Sequence, residues 1–176
     1  DATMSFLDKS FMVLPMVYII VLGEIDISVG STLALSSVVM GVLFSKGVPM
    51  PAAIIACLLT GTACGMINGL LVTRFKELSS TILTLSTMII FRGFAYTILQ
   101  DQSVGNFPKW FSYLGWGKIG EIPFILIVFL VFALMFGIIL HKTVFGRRVY
   151  AMGNNVTASE FSGIKVNKIK VLIFAL

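Results

Sequence analysis

The chain has 176 residues, of which 57% are hydrophobic and only 12% are charged, with a formal net charge of +5 at pH 7. Soluble domains carry about 25% charged residues, so this composition excludes a soluble globular protein. Apolar stretches of about 20 residues recur, each long enough to cross a bilayer core of about 30 Å. The predicted fold class is an all-α polytopic membrane protein, a bundle of about five to six transmembrane helices. Because the positive charge is concentrated in one loop beside the membrane, nucleic-acid binding is not expected.

The first two apolar stretches are short and flank a polar break. Residues 11–23 and 32–45 each fall short of a full crossing, and between them lies GEIDISVGS at residues 23–31. This break holds two carboxylates, two serines and two glycines, with no basic residue nearby. Irregular backbone at membrane depth is tolerated only where protein or water covers it, so a discontinuous helix or tight re-entry is predicted.

Charged groups at membrane depth usually face a cavity or a partner, so the break predicts a translocation path or gate. Its candidate residues are Glu24, Asp26, Ser28 and Gly30. The alternative is a surface turn in which Asp26 or Ser28 caps the following helix.

Two full spans follow, at residues 52–73 and 81–100. The first contains a stripe of small residues that lets a neighbouring backbone approach closely, which predicts helix packing through Gly61, Gly65 and Gly69. Asn68 lies beside this stripe and is a further candidate for the path. Arg92 lies in the middle third of the second span, where a charged side chain costs roughly 2.5–3.5 kcal/mol. It is predicted to face the interior, and snorkelling towards the outer headgroups is the alternative.

The last part of the chain sets the predicted orientation. Residues 101–121 form a longer loop whose aromatic rings suit a headgroup region, and residues 122–140 are another span. Residues 141–170 then carry six of the thirteen Lys and Arg residues against a single acid, Glu160. Because Lys and Arg in loops between spans stay on the inner side, loop 141–170 is predicted to be cytoplasmic and loop 101–121 extracytoplasmic.

A short helix is predicted inside the basic loop. Asn154 and Asn155 can start it, residues 157–162 can form it, and Gly163 would end it in a left-handed conformation. Its small residues and its one aromatic residue, Phe161, would offer a compact face to a cytoplasmic partner. A solvated connector is the alternative.

No pattern in the chain predicts catalysis. The only histidine, His141, has no cysteine or carboxylate at ligand spacing, so no metal site is expected. The sequence contains no H-E-x-x-H, Walker A or G-x-S-x-G pattern, so an enzyme is not expected. The chain opens on Asp1 and stops six residues into another apolar run, which predicts an internal piece of a longer protein, truncated at both ends.

In three stretches the chain resembles the permease subunits of bacterial ABC sugar importers. These importers are of the ribose, xylose, galactose, rhamnose and autoinducer type. The three stretches are GEIDISVGS at 23–31, NGLLV at 68–72 and FGRRVYAMGNNVTASEFSGI at 145–164. Their order and spacing make the resemblance specific. The family's cytoplasmic motif reads roughly A-x-G-x-N-x-x-A-A-x-x-S-G-I, and it is matched here by Ala151, Gly153, Asn155, Ala158, Ser162, Gly163 and Ile164.

The resemblance implies a subunit of about ten spans, of which residues 1–176 form a single truncated permease domain. It implies that residues 153–164 are a coupling helix that docks on a separate ATPase subunit. The coupling residues would be Gly153, Asn155, Thr157, Ala158, Ser159, Glu160, Ser162, Gly163 and Ile164.

The resemblance also implies a function and its partners. A monosaccharide or related small sugar would cross the bacterial cytoplasmic (inner) membrane by alternating access, and an ion-coupled secondary transporter of a small polar solute is the alternative. The partners would be a cytoplasmic ATPase, a second permease subunit, an extracytoplasmic sugar-binding protein and the lipid bilayer. ATP and Mg²⁺ would bind to the ATPase, with no cofactor in this chain.

Overall fold

The computed structural model describes residues 2–100, 104–105 and 107–176, and for residues 2–6 and 8 it describes the backbone alone. The predicted loop at 101–121 therefore lies partly outside the described residues. The chain divides into two compact units. The first unit is residues 1–23 with 108–166, and the second is residues 24–107 with 167–176.

The described part of the chain is almost entirely helical. Its helices are α1 (Ala2–Val21), α2 (Val29–Ser45), α3 (Met50–Arg74), α4 (Ser80–Leu99), α5 (Lys109–Trp116), α6 (Phe124–Lys142), α7 (Val144–Asn154), α8 (Val156–Phe161) and α9 (Val166–Phe174). One short antiparallel hairpin, β1 (Lys118–Ile119) and β2 (Ile122–Pro123), lies between α5 and α6.

Three of the described helices, α3, α4 and α6, are long and apolar enough to cross a membrane. They have 25, 20 and 19 residues, and at about 1.5 Å per residue each spans roughly the 30 Å of a bilayer core or more. Two shorter apolar helical segments, Lys9–Val21 and Val29–Ser45, match the two short stretches predicted from the sequence. The predicted class, an all-α polytopic membrane protein, is confirmed.

Both predicted loops contain helix that the sequence analysis missed. The loop at 101–121 holds α5, and the basic loop at 141–170 holds α7 and the first turn of α9. The start of α7 has a local cause, because Thr143 Oγ1 accepts a hydrogen bond from the backbone N–H of Gly146 at 3.3 Å. This is an N-cap, which satisfies one of the free donors of a first helical turn.

The first unit is held together by aromatic packing between α1 and α6. The ring of Phe11 lies edge-on to Phe129 with 5.4 Å between their centroids, and the Tyr18 hydroxyl donates to the carbonyl of Phe136 at 2.6 Å. Helix α7 approaches the end of α1 closely, since a Cβ at Gly153 would overlap the carbonyl oxygen of Val21.

The second unit has its core where α2, α3 and α4 meet. Leu35, Cys64, Phe91 and Ala95 are buried together there. Helix α9 lies against α3 along the predicted glycine stripe: a Cβ at Gly65 would overlap the carbonyl oxygen of Phe174. A Cβ at Gly69 would lie 2.7 Å from the Cα of Val171, whereas one at Gly61 would lie 3.3 Å from Ser36 Oγ.

Candidate functional site: a polar break and an exposed short helix

The polar break is an irregular backbone segment whose hydrogen bonds are completed by hydroxyl side chains. No helix covers residues 22–28, so the break is narrower than the predicted 23–31. The N–H of Ile25 donates to Ser80 Oγ at 3.1 Å, and the N–H of Ile27 donates to Thr84 Oγ1 at 3.3 Å. Thr84 Oγ1 in turn lies 3.4 Å from the carbonyl oxygen of Ile25. The first turns of α4 thus supply partners that a helix would have provided internally, which non-helical backbone at membrane depth requires.

A buried side-chain network lies at the end of the break. Asp26 Oδ1 accepts from both the backbone N–H and the hydroxyl of Ser28, each at 2.7 Å. Asn68 Nδ2 of α3 donates to Ser28 Oγ at 2.6 Å. Asp26, Ser28 and Asn68 are only 6%, 0% and 2% exposed. Ser28 occupies the N-cap position of α2, as the alternative interpretation predicted, but its side chain makes no capping hydrogen bond.

Glu24 forms an ion pair with Lys170 of α9. The two side chains are 17% and 15% exposed, so both charges are largely withdrawn from solvent. The fold thus brings a basic residue to a break that has none beside it in the sequence. The residues of the pair are 146 positions apart in the chain, and no sequence pattern connects them.

Arg92 and Gly30 make no hydrogen bond in this network and instead line a groove between α2 and α4. The Arg92 side chain is exposed rather than enclosed. It makes no hydrogen bond or ion pair with any residue that the structure describes.

Helix α8 begins one residue before the predicted short helix. Asn155 Oδ1 accepts from the N–H of Ala158 at 2.9 Å and caps the first turn. Gly163 follows the helix with a φ of +80°, a left-handed conformation that glycine adopts without strain. These two residues explain why a six-residue helix starts and stops here.

Helix α8 has one buried position and a wide exposed face. Ser159 is 4% exposed, and its hydroxyl donates to the Asn155 carbonyl at 2.9 Å. Phe161 is 89% exposed, which is unusual for an aromatic side chain of this size. The other exposed residues between 156 and 163 are Val156, Thr157, Ala158, Glu160, Ser162 and Gly163.

Three predicted coupling residues lie outside this exposed face, and the first of them is Ser159, which is buried. Gly153 lets α7 pack closely against the end of α1, as described above, and Ile164 is half-buried. The structure thus separates the residues predicted for ATPase coupling into a packing group and an exposed group.

Sequence reasoning missed Lys170, Ser80 and Thr84 as members of the site. A signal existed for the hydroxyls: Ser80, Thr84 and Thr87 recur at intervals of four and three residues and so share one face of α4. Within the described ranges, no three His, Cys, Asp or Glu side chains are grouped so that they could hold a metal ion.

Comparison with known proteins identifies the class of this chain. A family model described as "Branched-chain amino acid transport system / permease component" matches residues 3–176. The chain therefore belongs to this family of transport permeases, and the predicted resemblance to importer permeases is confirmed.

The curated relatives of the chain include permeases of one import system. The chain is similar to the Autoinducer 2 import system permease protein LsrD of Escherichia coli (strain K12), of Escherichia coli O157:H7 and of Shigella flexneri. Each is 35% identical to this chain over an alignment of 181 positions, which covers 99% of this chain and 54% of the relative. The chain thus spans about half the length of the relatives it matches. No solved structure matches the chain.

Proposed function

We propose that this chain is part of the membrane-spanning permease subunit of an ATP-driven importer that carries a monosaccharide or related small sugar by alternating access. The observation that carries the proposal is the family match over residues 3–176, together with relatives named as import system permeases. A sugar-like solute is favoured over an amino acid because the matched curated relatives are named for autoinducer 2 import. The membrane is the bacterial cytoplasmic membrane.

The exposed face of α8 is the docking surface for a cytoplasmic ATPase, which binds ATP and Mg²⁺. Its support is the solvent exposure of Phe161 beside the small residues Ala158 and Ser162. Aromatic side chains that become buried on binding are enriched in the cores of protein interfaces. The remaining partners are a second permease subunit and an extracytoplasmic sugar-binding protein, which delivers solute on the side of loop 101–121.

The polar break serves as the gate, and the chain itself connects it to α8. Only residues 162–165 separate α8 from α9, and α9 carries Lys170, the partner of Glu24 in the break. A displacement of α8 by the ATPase is thereby passed along the chain to the ion pair. The backbone of residues 25–27 is hydrogen-bonded to hydroxyl side chains and is not part of a helix. These hydrogen bonds can therefore be exchanged when the gate opens.

Replacing Ala158 with Arg is expected to lower ATP-driven sugar uptake about tenfold or more while the protein still inserts, because a long charged side chain would separate α8 from the ATPase. The measurement is uptake of labelled monosaccharides into vesicles that hold the full-length permease with its partner subunits. Ala158→Ser, which keeps the small volume, is the matched control. Gly163 is a poorer test, because its φ of +80° makes any side chain there strained.

Two results of this experiment would contradict the proposal. Normal uptake and normal ATPase coupling in Ala158→Arg would remove the docking role of α8. Uptake by the wild-type protein in energised vesicles that lack ATP would instead point to an ion-coupled secondary transporter.

A further inference from the structure

A groove of about 340 Å³ runs between α2 and α4 in the second unit. Small-molecule sites in proteins have volumes of about 300–1,000 Å³, so the groove is large enough for a small solute. Gly30 and Ala34 of α2 make room on one wall, and Arg92 and Tyr96 of α4 form the other. A Cβ at Gly30 would meet no atom within 4 Å, so the space beside this residue is open.

The groove places a charged group in the middle of a membrane-spanning helix, and this group has no partner among the described residues. Arg92 is residue 13 of the 20 in α4, and no described residue accepts a hydrogen bond from its guanidinium. A charged side chain at this depth is costly and usually marks a substrate or ion pathway. Its five N–H donors form a rigid fork that fits two adjacent oxygen atoms.

The groove meets the polar break at Ser31. Ser31 lines the groove and is 5% exposed, and its hydroxyl donates to the carbonyl of Ser28 at 2.7 Å. Ser28 is the residue that bonds to Asp26 and Asn68. Asn68 Oδ1 is buried in this network and has no hydrogen-bond partner in the described part of the chain. The groove and the break are therefore joined by consecutive hydrogen bonds within one unit.

We propose that this groove is the solute-binding site of the permease, directly adjoining the gate. Arg92 recognises two adjacent oxygen atoms on a hydroxylated ring of monosaccharide size, and the ring of Tyr96 packs on the apolar face of that solute. The oxygen pair is a vicinal diol of a neutral sugar or the carboxylate of a sugar acid. This inference rests on the proposed function and adds the residues that select the solute.

The test uses the full-length permease with its partner subunits in vesicles. Cys57 and Cys64 are replaced by Ala, and Ala34→Cys, at an exposed position on the groove wall, is alkylated with a maleimide. The probes are D-ribose, D-xylose, L-rhamnose and D-galactose as neutral sugars and D-gluconate as a sugar acid. A probe that wild-type vesicles take up with ATP should slow the alkylation of Ala34→Cys. Protection by a neutral sugar would identify the oxygen pair as a vicinal diol, and protection by D-gluconate would identify it as a carboxylate.

Arg92→Gln and Gly30→Leu should each raise the probe concentration for half-maximal protection at least tenfold. Gly93→Leu is the matched control, because a Cβ at Gly93 also meets no atom within 4 Å but Gly93 does not line the groove. If Arg92→Gln fails to insert into the membrane, protection in Gly30→Leu decides whether the groove binds the probe, since this substitution adds only apolar volume.

Unchanged protection in Gly30→Leu would overturn the groove assignment. Unchanged protection in an inserted Arg92→Gln would overturn it equally. If none of the five probes is taken up, the proposed function fails and this inference fails with it. If vesicles with Arg92→Gln and vesicles with Gly30→Leu take up a probe as the wild type does, this inference fails and the proposed function stands.

Discussion

Reversing the charge of Lys170 to Glu is expected to lower the free energy of unfolding of the protein by about 3–5 kcal/mol, the usual range for breaking a buried ion pair. Glu24 and the new carboxylate would face each other where both side chains are more than four-fifths buried. The double reversal Glu24→Lys with Lys170→Glu should recover most of this loss, because it restores opposite charges in the same place. Thermal unfolding of the purified full-length permease in detergent measures both effects.

The matched control is Lys168→Glu, two residues earlier on α9 at an exposed position. A surface charge contributes only about 0–1 kcal/mol, so this variant should unfold near the wild-type temperature. If Lys170→Glu and Lys168→Glu lost the same small stability, the ion pair would not hold α9 to the polar break. A double reversal no better than either single reversal would lead to the same conclusion.

Alanine substitution in the glycine stripe should destabilise the protein most at Gly65 and less at Gly69, and it should not destabilise the protein at Gly61. A Cβ at Gly65 would overlap the backbone of Phe174, and backbone cannot move aside as a side chain can. At Gly69 the nearest atom is the Cα of Val171 at 2.7 Å, so α9 must shift there as well. Overpacking of this kind typically costs about 1–3 kcal/mol, and occasionally more.

Gly61→Ala serves as the internal control, because its nearest neighbour is a hydroxyl oxygen at 3.3 Å that can rotate away. It also replaces glycine inside a helix, which favours the helix by about 0.8–1.0 kcal/mol. Equal unfolding temperatures for Gly61→Ala and Gly65→Ala would show that α9 does not pack on α3 as closely as the structure indicates. The readout is again thermal unfolding of the full-length protein in detergent.

The long apolar helices were predictable because each is encoded locally. Predicted spans at 52–73, 81–100 and 122–140 correspond to α3, α4 and α6, with ends that differ by two residues or fewer. Helix α8 was predictable for the same reason, since Asn155 and Gly163 act on the turns beside them. Length, apolarity and capping chemistry are all visible within a short window of sequence.

The interior of the candidate site was less predictable because its contacts link distant segments. In the sequence Glu24 and Asp26 are two equivalent carboxylates of the break. In the structure Glu24 forms an ion pair with Lys170, whereas Asp26 accepts hydrogen bonds from Ser28, two residues away. Helix α7 was missed because it is neither apolar nor long, and its start depends on a single threonine side chain. Arg92 was placed on the correct helix, but only the packing of α4 on α2 shows that it borders a groove.

The most direct test of the account is the sidedness of Ser162, the exposed residue that follows α8. With Cys57 and Cys64 replaced by Ala, Ser162→Cys should react with a membrane-impermeant maleimide in inverted vesicles and stay unlabelled in intact cells. Glu121→Cys, exposed in the loop at 101–121, should show the opposite pattern. Labelling of Ser162→Cys from outside intact cells would contradict the orientation, and α8 could then not dock on a cytoplasmic ATPase.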